Sequence, residues 1–308
     1  MKKIYYLLLL VCPILWSACD SEEKLTPGEP LSFYDFPQGD AAYDHEFVDF
    51  YKKYDTQVLY RFKEMDFRWN VTSYLPFYAE QPEEKNIQQA WDFINQYCFS
   101  IWSEDFLKQC LPSRIFLASR VYSLKINTVW EGNTSRQDTT EVPKNTIYGL
   151  SHITFGRTDG TLNTLSAAEK KELIGDMAFA LIGYAAYRDN IEVPQEFVAL
   201  HNKWKSGNNE YQASWGYNGC GFLEYYANID AAYDFGLYVK YLVMNSKEEF
   251  EKKYLDPSFD SGGENDPVTG QLVPQKRIYQ KYQIVVNYFL NTLHIDLHAI
   301  GNKISQLQ

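Results

Sequence analysis

Leu173-Ile174-Gly175-Asp176-Met177-Ala178-Phe179-Ala180-Leu181-Ile182-Gly183-Tyr184-Ala185-Ala186-Tyr187 is the stretch that decides the fold. Apolar residues occupy it at every helical angle, and Asp176 is its only charge. A helix apolar all round is buried on most faces rather than laid on a surface. Just upstream, Leu165-Ser166-Ala167-Ala168-Glu169 holds a capping box, with Ser166 as N-cap and Glu169 at the third helical position. Asp189-Asn190 and then Pro194 end the helix.

Working toward the N-terminus, residues 147–155 read as one strand and residues 131–144 as a polar loop without periodicity. Residues 121–130 alternate as a strand, and Arg114-Ile115-Phe116-Leu117-Ala118 after Pro112 reads as a short buried one. A helix is expected near 87–102, where Ala90, Phe93, Ile94 and Tyr97 recur at helical spacing. Gln57-Val58-Leu59-Tyr60-Arg61-Phe62 reads as a strand after a helical pattern over 38–56. Toward the C-terminus, a helix is expected at about 229–245, a polar Gly-rich loop over 258–274, and a long helix at about 278–293. Asp296 is placed to cap a last short helix holding Leu297, Ile300 and Ile304. With strands early and helices late, the plan is α+β.

The first residues have a different character. Lys2 and Lys3 precede an apolar run over 4–16, too short to span a bilayer, which ends in Ser17-Ala18-Cys19. Small residues before a cysteine suit a lipoprotein signal peptidase, so residues 1–18 are expected to be a removed leader and Cys19 the lipidated residue. An ordinary cleaved signal is the alternative. Residues 19–37 read as a flexible tether and 38–308 as the folded domain. Asp20-Ser21-Glu22-Glu23 resembles a surface-export signal of lipoproteins in Gram-negative gut bacteria, which implies an outer-membrane protein facing the cell exterior.

Composition narrows the partners. Losing Lys2 and Lys3 with the leader takes the formal charge from −11 to −13, which argues against nucleic acid and against docking on anionic lipid. The 25 Tyr residues offer flat apolar faces with polar tips, a composition suited to sugars, peptides or partner proteins. Cys98, Cys110 and Cys220 match no zinc spacing, and both a Cys98–Cys110 bridge and three reduced thiols stay open.

Several segments together resemble one family. Tyr54-Asp55-Thr56-Gln57-Val58-Leu59-Tyr60-Arg61-Phe62 is similar to its Tyr-Asn-Ile-x-Val-x-Tyr-Arg-Trp opening. The buried helix, then Val193-Pro194-Gln195-Glu196-Phe197, follow in the family's order. Gly221-Phe222, Tyr226-Ala227 and Tyr233-Asp234-Phe235-Gly236 resemble its later Gly-Phe, Tyr-Ala and Glu-Asp-Phe-Ala block. The family is the substrate import-associated zinc metallohydrolase lipoproteins, also called putative zinc-binding metallopeptidases. The resemblance implies a zincin-like fold, strands and helices first and a mostly helical C-terminal part after. It also implies association with SusC/SusD-like nutrient importers, in which a TonB-dependent barrel is covered by a substrate-capturing lid.

The family's chemistry sits in His-Glu-x-x-His, two imidazoles one helical turn apart that grip zinc and a glutamate that activates water. The matching residues here are Gly175, Asp176, Met177, Ala178 and Phe179. Glycine offers no ligand atom and phenylalanine a hydrocarbon ring; Asp234 is the residual acid of the later block. The resemblance therefore implies the fold without the reaction: no catalytic residue, no metal ligand and no cofactor, with a binding or structural role and a peptide or glycan ligand. The alternative is a working zinc hydrolase with its ligands elsewhere, zinc then being the cofactor. Of the five histidines, His45, His152, His201, His294 and His298, only the last two stand four apart, and they straddle the helix break at Asp296.

Overall fold

The computed structural model describes residues 34–63, 77–208, 210–211, 213–256, 259, 263–265, 267–274 and 276–307. The leader, Cys19 and the acidic run after it lie outside the described residues. Phe36–Gln308 is a compact unit with its own core.

A four-stranded sheet runs in the order β1 (Gln57–Leu59), β3 (Arg114–Leu117), β7 (His152–Phe155) and β6 (Thr146–Tyr148). The first three strands are parallel, and β6 is an antiparallel edge. Into the same core as the sheet pack α1 (Ala42–Tyr54), α2 (Ile87–Phe93, prolonged by a π-helical segment, Ile94–Phe99) and α3 (Glu104–Cys110). Then come α4 (Ala167–Tyr187), α5 (Gln195–Trp204), α6 (Ala231–Met244), α7 (Lys247–Tyr254), α8 (Arg277–Asn291) and α9 (Leu297–Ser305). The architecture is α+β with a helical C-terminal part.

The capping box forms as the sequence implies: Ser166 Oγ accepts from the Glu169 amide at 3.3 Å, and Glu169 accepts from the Ser166 amide at 2.9 Å. Asp296 caps α9 in the same spirit, accepting from the amides of His298 and Ala299. In α4, Leu173, Ile174, Met177, Ala178, Leu181, Ile182 and Ala185 are all buried.

The expected loop over 131–144 is a strand, β5 (Thr134–Lys144), paired with β4 (Arg120–Glu131) through a turn at Gly132 and Asn133. Its residues are exposed on both faces, so no hydrophobic alternation marks it; its threonines carry the β preference instead. The single strand expected over 147–155 is two, β6 and β7, turning at Gly149, whose amide donates to the His152 carbonyl at 2.9 Å. Part of the expected loop over 258–274 is a small hairpin, β8 (Gly263–Asn265) with β9 (Leu272–Pro274). Helices α3, α5 and α7 were not anticipated. Cys98, Cys110 and Cys220 are reduced and buried, so the Cys98–Cys110 bridge is not present.

Candidate functional site

Gly175 to Phe179, the residues that the resemblance sets against the family's motif, lie where α4 crosses α6. A Cβ on Gly175 would run into the side chain of Met244, and one on Gly236 would come within 3.1 Å of the Phe179 ring. Small residues on both helices thus let them pack closely. The Phe179 ring meets Tyr233 edge-on at 4.9 Å.

Asp176 is not a vacant base. Lys240, from α6, places its Nζ 2.7 Å from Asp176 Oδ1 and donates to Glu172 Oε1 at 2.6 Å. Asn145 donates to Asp176 Oδ2 at 2.8 Å, so both carboxylate oxygens are engaged. Burial alone would lower the Lys240 pKa; the Asp176 and Glu172 carboxylates more than offset this and hold it well above the ordinary lysine value. A fixed ammonium therefore sits on the acid of the motif. A zinc ion at this place needs imidazole or thiolate donors around an open position. Gly175 and Phe179 supply none, and among the described residues no three His, Cys, Asp or Glu side chains gather as a metal-binding group. The residues present do not fit the metal.

Asp234 faces a different set of residues. It is fully buried, with His201 Nδ1 at 3.0 Å and Lys281 Nζ at 2.6 Å, both on Oδ2. Lys281, from α8, also donates to the Gly221 carbonyl at 2.9 Å and lies 3.7 Å from the Phe222 ring centre. Burial pushes the Lys281 pKa down and Asp234 pulls it partly back. No hydrogen bond or ion pair links this trio to Asp176 among the described residues. His294 and His298 do not share a helix face: His294 precedes α9 with a positive φ of 56°, and His298 Nε2 meets the Tyr282 hydroxyl at 2.9 Å.

Beside the motif opens a cavity of about 420 Å³ walled by Phe77, Ile147, Tyr148, Phe179, Tyr187 and Tyr233, with Lys144 at its edge. Burial raises the Tyr148 pKa to about 12 and that of Tyr233 likewise upward, so both phenols stay protonated and can donate. A larger, shallower depression of about 570 Å³ is lined by Glu46, Asp49, Lys53 and other residues of the first helices and shares no residue with the motif, so the chemistry favours the smaller cavity. The aromatic stretch over 211–226 is divided: Trp215 and Tyr217 pack against the core, with Arg277 4.7 Å from the Trp215 ring, while Tyr225 and Tyr226 are exposed.

The family model described as a putative zinc-binding metallo-peptidase matches residues 47–298. The chain belongs to that family. A crystal structure of a putative zinc-binding metallo-peptidase from Bacteroides caccae ATCC 43185 superposes with a TM-score of 0.50 and 13% identity, over 90% of this chain and 95% of that one. At that identity the likeness concerns the fold alone. No curated protein matches the chain.

Sequence reasoning overlooked the two lysines that define these sites in this metallo-peptidase family member. A signal existed. Asp234 and Lys240 are the only charges in α6, six residues and so roughly 240° apart on a helix, which puts them on different faces. Each lone charge in an apolar helix needs a partner from a neighbour, and Asp176 is such a lone charge in the buried part of α4.

Proposed function

We propose that this member of the family is a non-catalytic binding protein whose cleft holds a ligand beside an occupied motif. The observation that carries the reading is the Lys240 ammonium seated on Asp176, one position from Gly175 and one turn from Phe179. A base must be able to take a proton from water, and an acid bonded through both oxygens to a lysine and an asparagine is poorly placed to do so. The cavity of Phe77, Tyr148, Phe179 and Tyr233 offers apolar faces with phenol donors, which suits a peptide side chain or a sugar ring. We place the protein on the outer membrane, anchored through Cys19 and facing outward, as an accessory of a SusC/SusD-like importer. This follows from the leader, the acidic run after Cys19 and the family resemblance.

Two measurements test the reading. Purified protein is expected to carry no stoichiometric zinc after desalting, and a chelator is expected to leave the melting temperature unchanged, since a bound structural or catalytic metal would stabilise the fold by mass action. Near-stoichiometric zinc by elemental analysis would overturn it. For the anchor, Cys19→Ser is expected to leave an uncleaved or soluble precursor; mature protein that still partitions into detergent would refute lipidation there.

A further inference from the structure

Phe179, Gly183 and Tyr187 follow one another at a spacing of one helical turn and so share a face of α4. The glycine between the two rings leaves room for Tyr148 of the edge strand β6, whose ring a Cβ on Gly183 would approach to 2.6 Å. Tyr148 meets Phe179 edge-on with ring centres 6.3 Å apart, and Phe179 meets Tyr233 of α6 at 4.9 Å. Phe77, the first residue of β2 (Phe77–Glu80), and Tyr187 complete five rings around the cavity of about 420 Å³. That volume suits a small ligand, and walls of this kind favour a ring as guest, through offset or edge-on contact.

The polar groups of the cavity are donors without acceptors. The hydroxyls of Tyr148, Tyr187 and Tyr233 make no hydrogen bond among the described residues, and Lys144 makes no ion pair there. Thr146, the other polar side chain on the wall, already donates to the Asp176 carbonyl at 2.8 Å. Among the described residues no carboxylate lines the space. Asp176 is engaged by Lys240 and Asn145, and Asp230 caps α6 by accepting from the amides of Ala232 and Tyr233, each at 2.9 Å. Burial first, and the field of Asp230 second, raise the Tyr148 pKa, so this phenol stays a donor. Lys144 is thus the one charge on the wall among the described residues, and it is positive in a chain whose formal charge is −11.

We infer that this cavity takes an aromatic carboxylate, its ring among the five side-chain rings and its acid group on Lys144 and the phenols. The inference rests on the reading of the cleft as a binding site and names the class of ligand it holds. An ammonium beside apolar walls offers a carboxylate a charge-assisted hydrogen bond, roughly twice as strong as a neutral one. A neutral sugar ring would leave that charge unmatched, and a cationic side chain would be repelled by it. The first turn of α6, where Tyr233 stands, adds the positive end of a helix dipole, reduced by the cap at Asp230. Two sources carry this chemistry, a free aromatic acid and an aromatic residue at the carboxyl end of a peptide, and the test separates them.

The full chain is titrated by calorimetry with hydrocinnamate and with hydrocinnamide, which has the same ring and no charge. The acid is expected to bind at least tenfold more tightly than the amide. Lys144→Gln should weaken the acid at least tenfold and leave the amide unchanged, and Tyr148→Phe should weaken the acid several-fold. Lys144 is exposed, so its replacement should not move the melting temperature. The tripeptide Ala-Ala-Phe and its carboxyl-terminal amide form the second arm. A peptide acid tenfold tighter than hydrocinnamate identifies a chain end as the source, and an equal or weaker one identifies the free acid. Equal affinity for acid and amide, a Lys144→Gln variant that binds the acid like the parent, or no binding of either acid at millimolar concentration overturns the inference. Zinc content of the same sample judges the non-catalytic reading separately. A zinc-free protein that binds acid and amide alike loses only the present inference, whereas zinc in a protein that keeps its Lys144-dependent preference overturns only the reading.

Discussion

Lys281 and Asp234 form an ion pair with no solvent on either side. A buried pair contributes little net stability, but removing one partner strands the other. Among the described residues, Lys281→Met leaves the Asp234 carboxylate with His201 alone, and unfolding in urea should show a loss of about 3–5 kcal/mol. Replacing both, Lys281→Met with Asp234→Leu, should recover a large part of that loss. His152 behaves differently. Burial first, and Arg114 second, lower its pKa to about 4 from an ordinary 6.5. The folded state thus holds the ring neutral, while the unfolded chain takes up a proton below about pH 6.5. The stabilisation from neutral His152 is complete above pH 6.5, drains as the pH falls toward 4, and levels off below, about 3 kcal/mol in all. His152→Asn should flatten that part of the stability profile; an unchanged slope between pH 6.5 and 4 would show that another group causes it. Gly175 shows why restoring a histidine there is not a simple reversal, since any side chain must first displace Met244 and then share space with Lys240.

Among the elements, α4 carries the greatest burden because it touches the sheet through β6 and β7 and the helical layer through α6. Its start depends on a reciprocal pair of bonds, so Ser166→Ala should cost about 1 kcal/mol, read as a shift of the urea midpoint without a change of slope. A shift in slope would mean that the cap had acted on something other than the helix end. The edge strand β6 has a double role: it closes the sheet and, through Thr146 Oγ1 donating to the Asp176 carbonyl at 2.8 Å, ties the motif helix to the wall of the cavity. The β4–β5 ribbon is the opposite case, long in pairing and short in burial, and its residues beyond Ser123 are absent from the core.

Taken as a whole, the body is one continuous apolar core spanning α1 to α9, with a second small cluster of Trp204, Cys220, Phe222, Ala227 and Leu237. All three cysteines of the body sit inside it, and burial pushes the Cys98 thiol up and that of Cys110 up to about 12. A thiol-specific reagent at pH 8 should therefore label none of them in the native unit Phe36–Gln308, and all three once denaturant is added. Rapid labelling of the native unit would mean that the core opens locally.

Much of this was readable from the chain because it depends on neighbours in sequence. The run over 173–187, apolar but for Asp176, read as a buried helix, and the Ser166 and Glu169 pair and Asp296 announced their caps. What depends on neighbours in space was not readable. The strand at Thr134–Lys144 exists through its pairing with β4, because a ribbon exposed on both faces carries no hydrophobic period. The destinations of Asp176 and Asp234 were equally hidden. Each is a lone acid in an apolar helix, and that fact demands a partner without naming it. Only the crossing of α4 on α6 brings Lys240 to Asp176, and only the packing of α8 brings Lys281 to Asp234. Burial makes such pairing obligatory, while the tertiary fold selects which cation provides it.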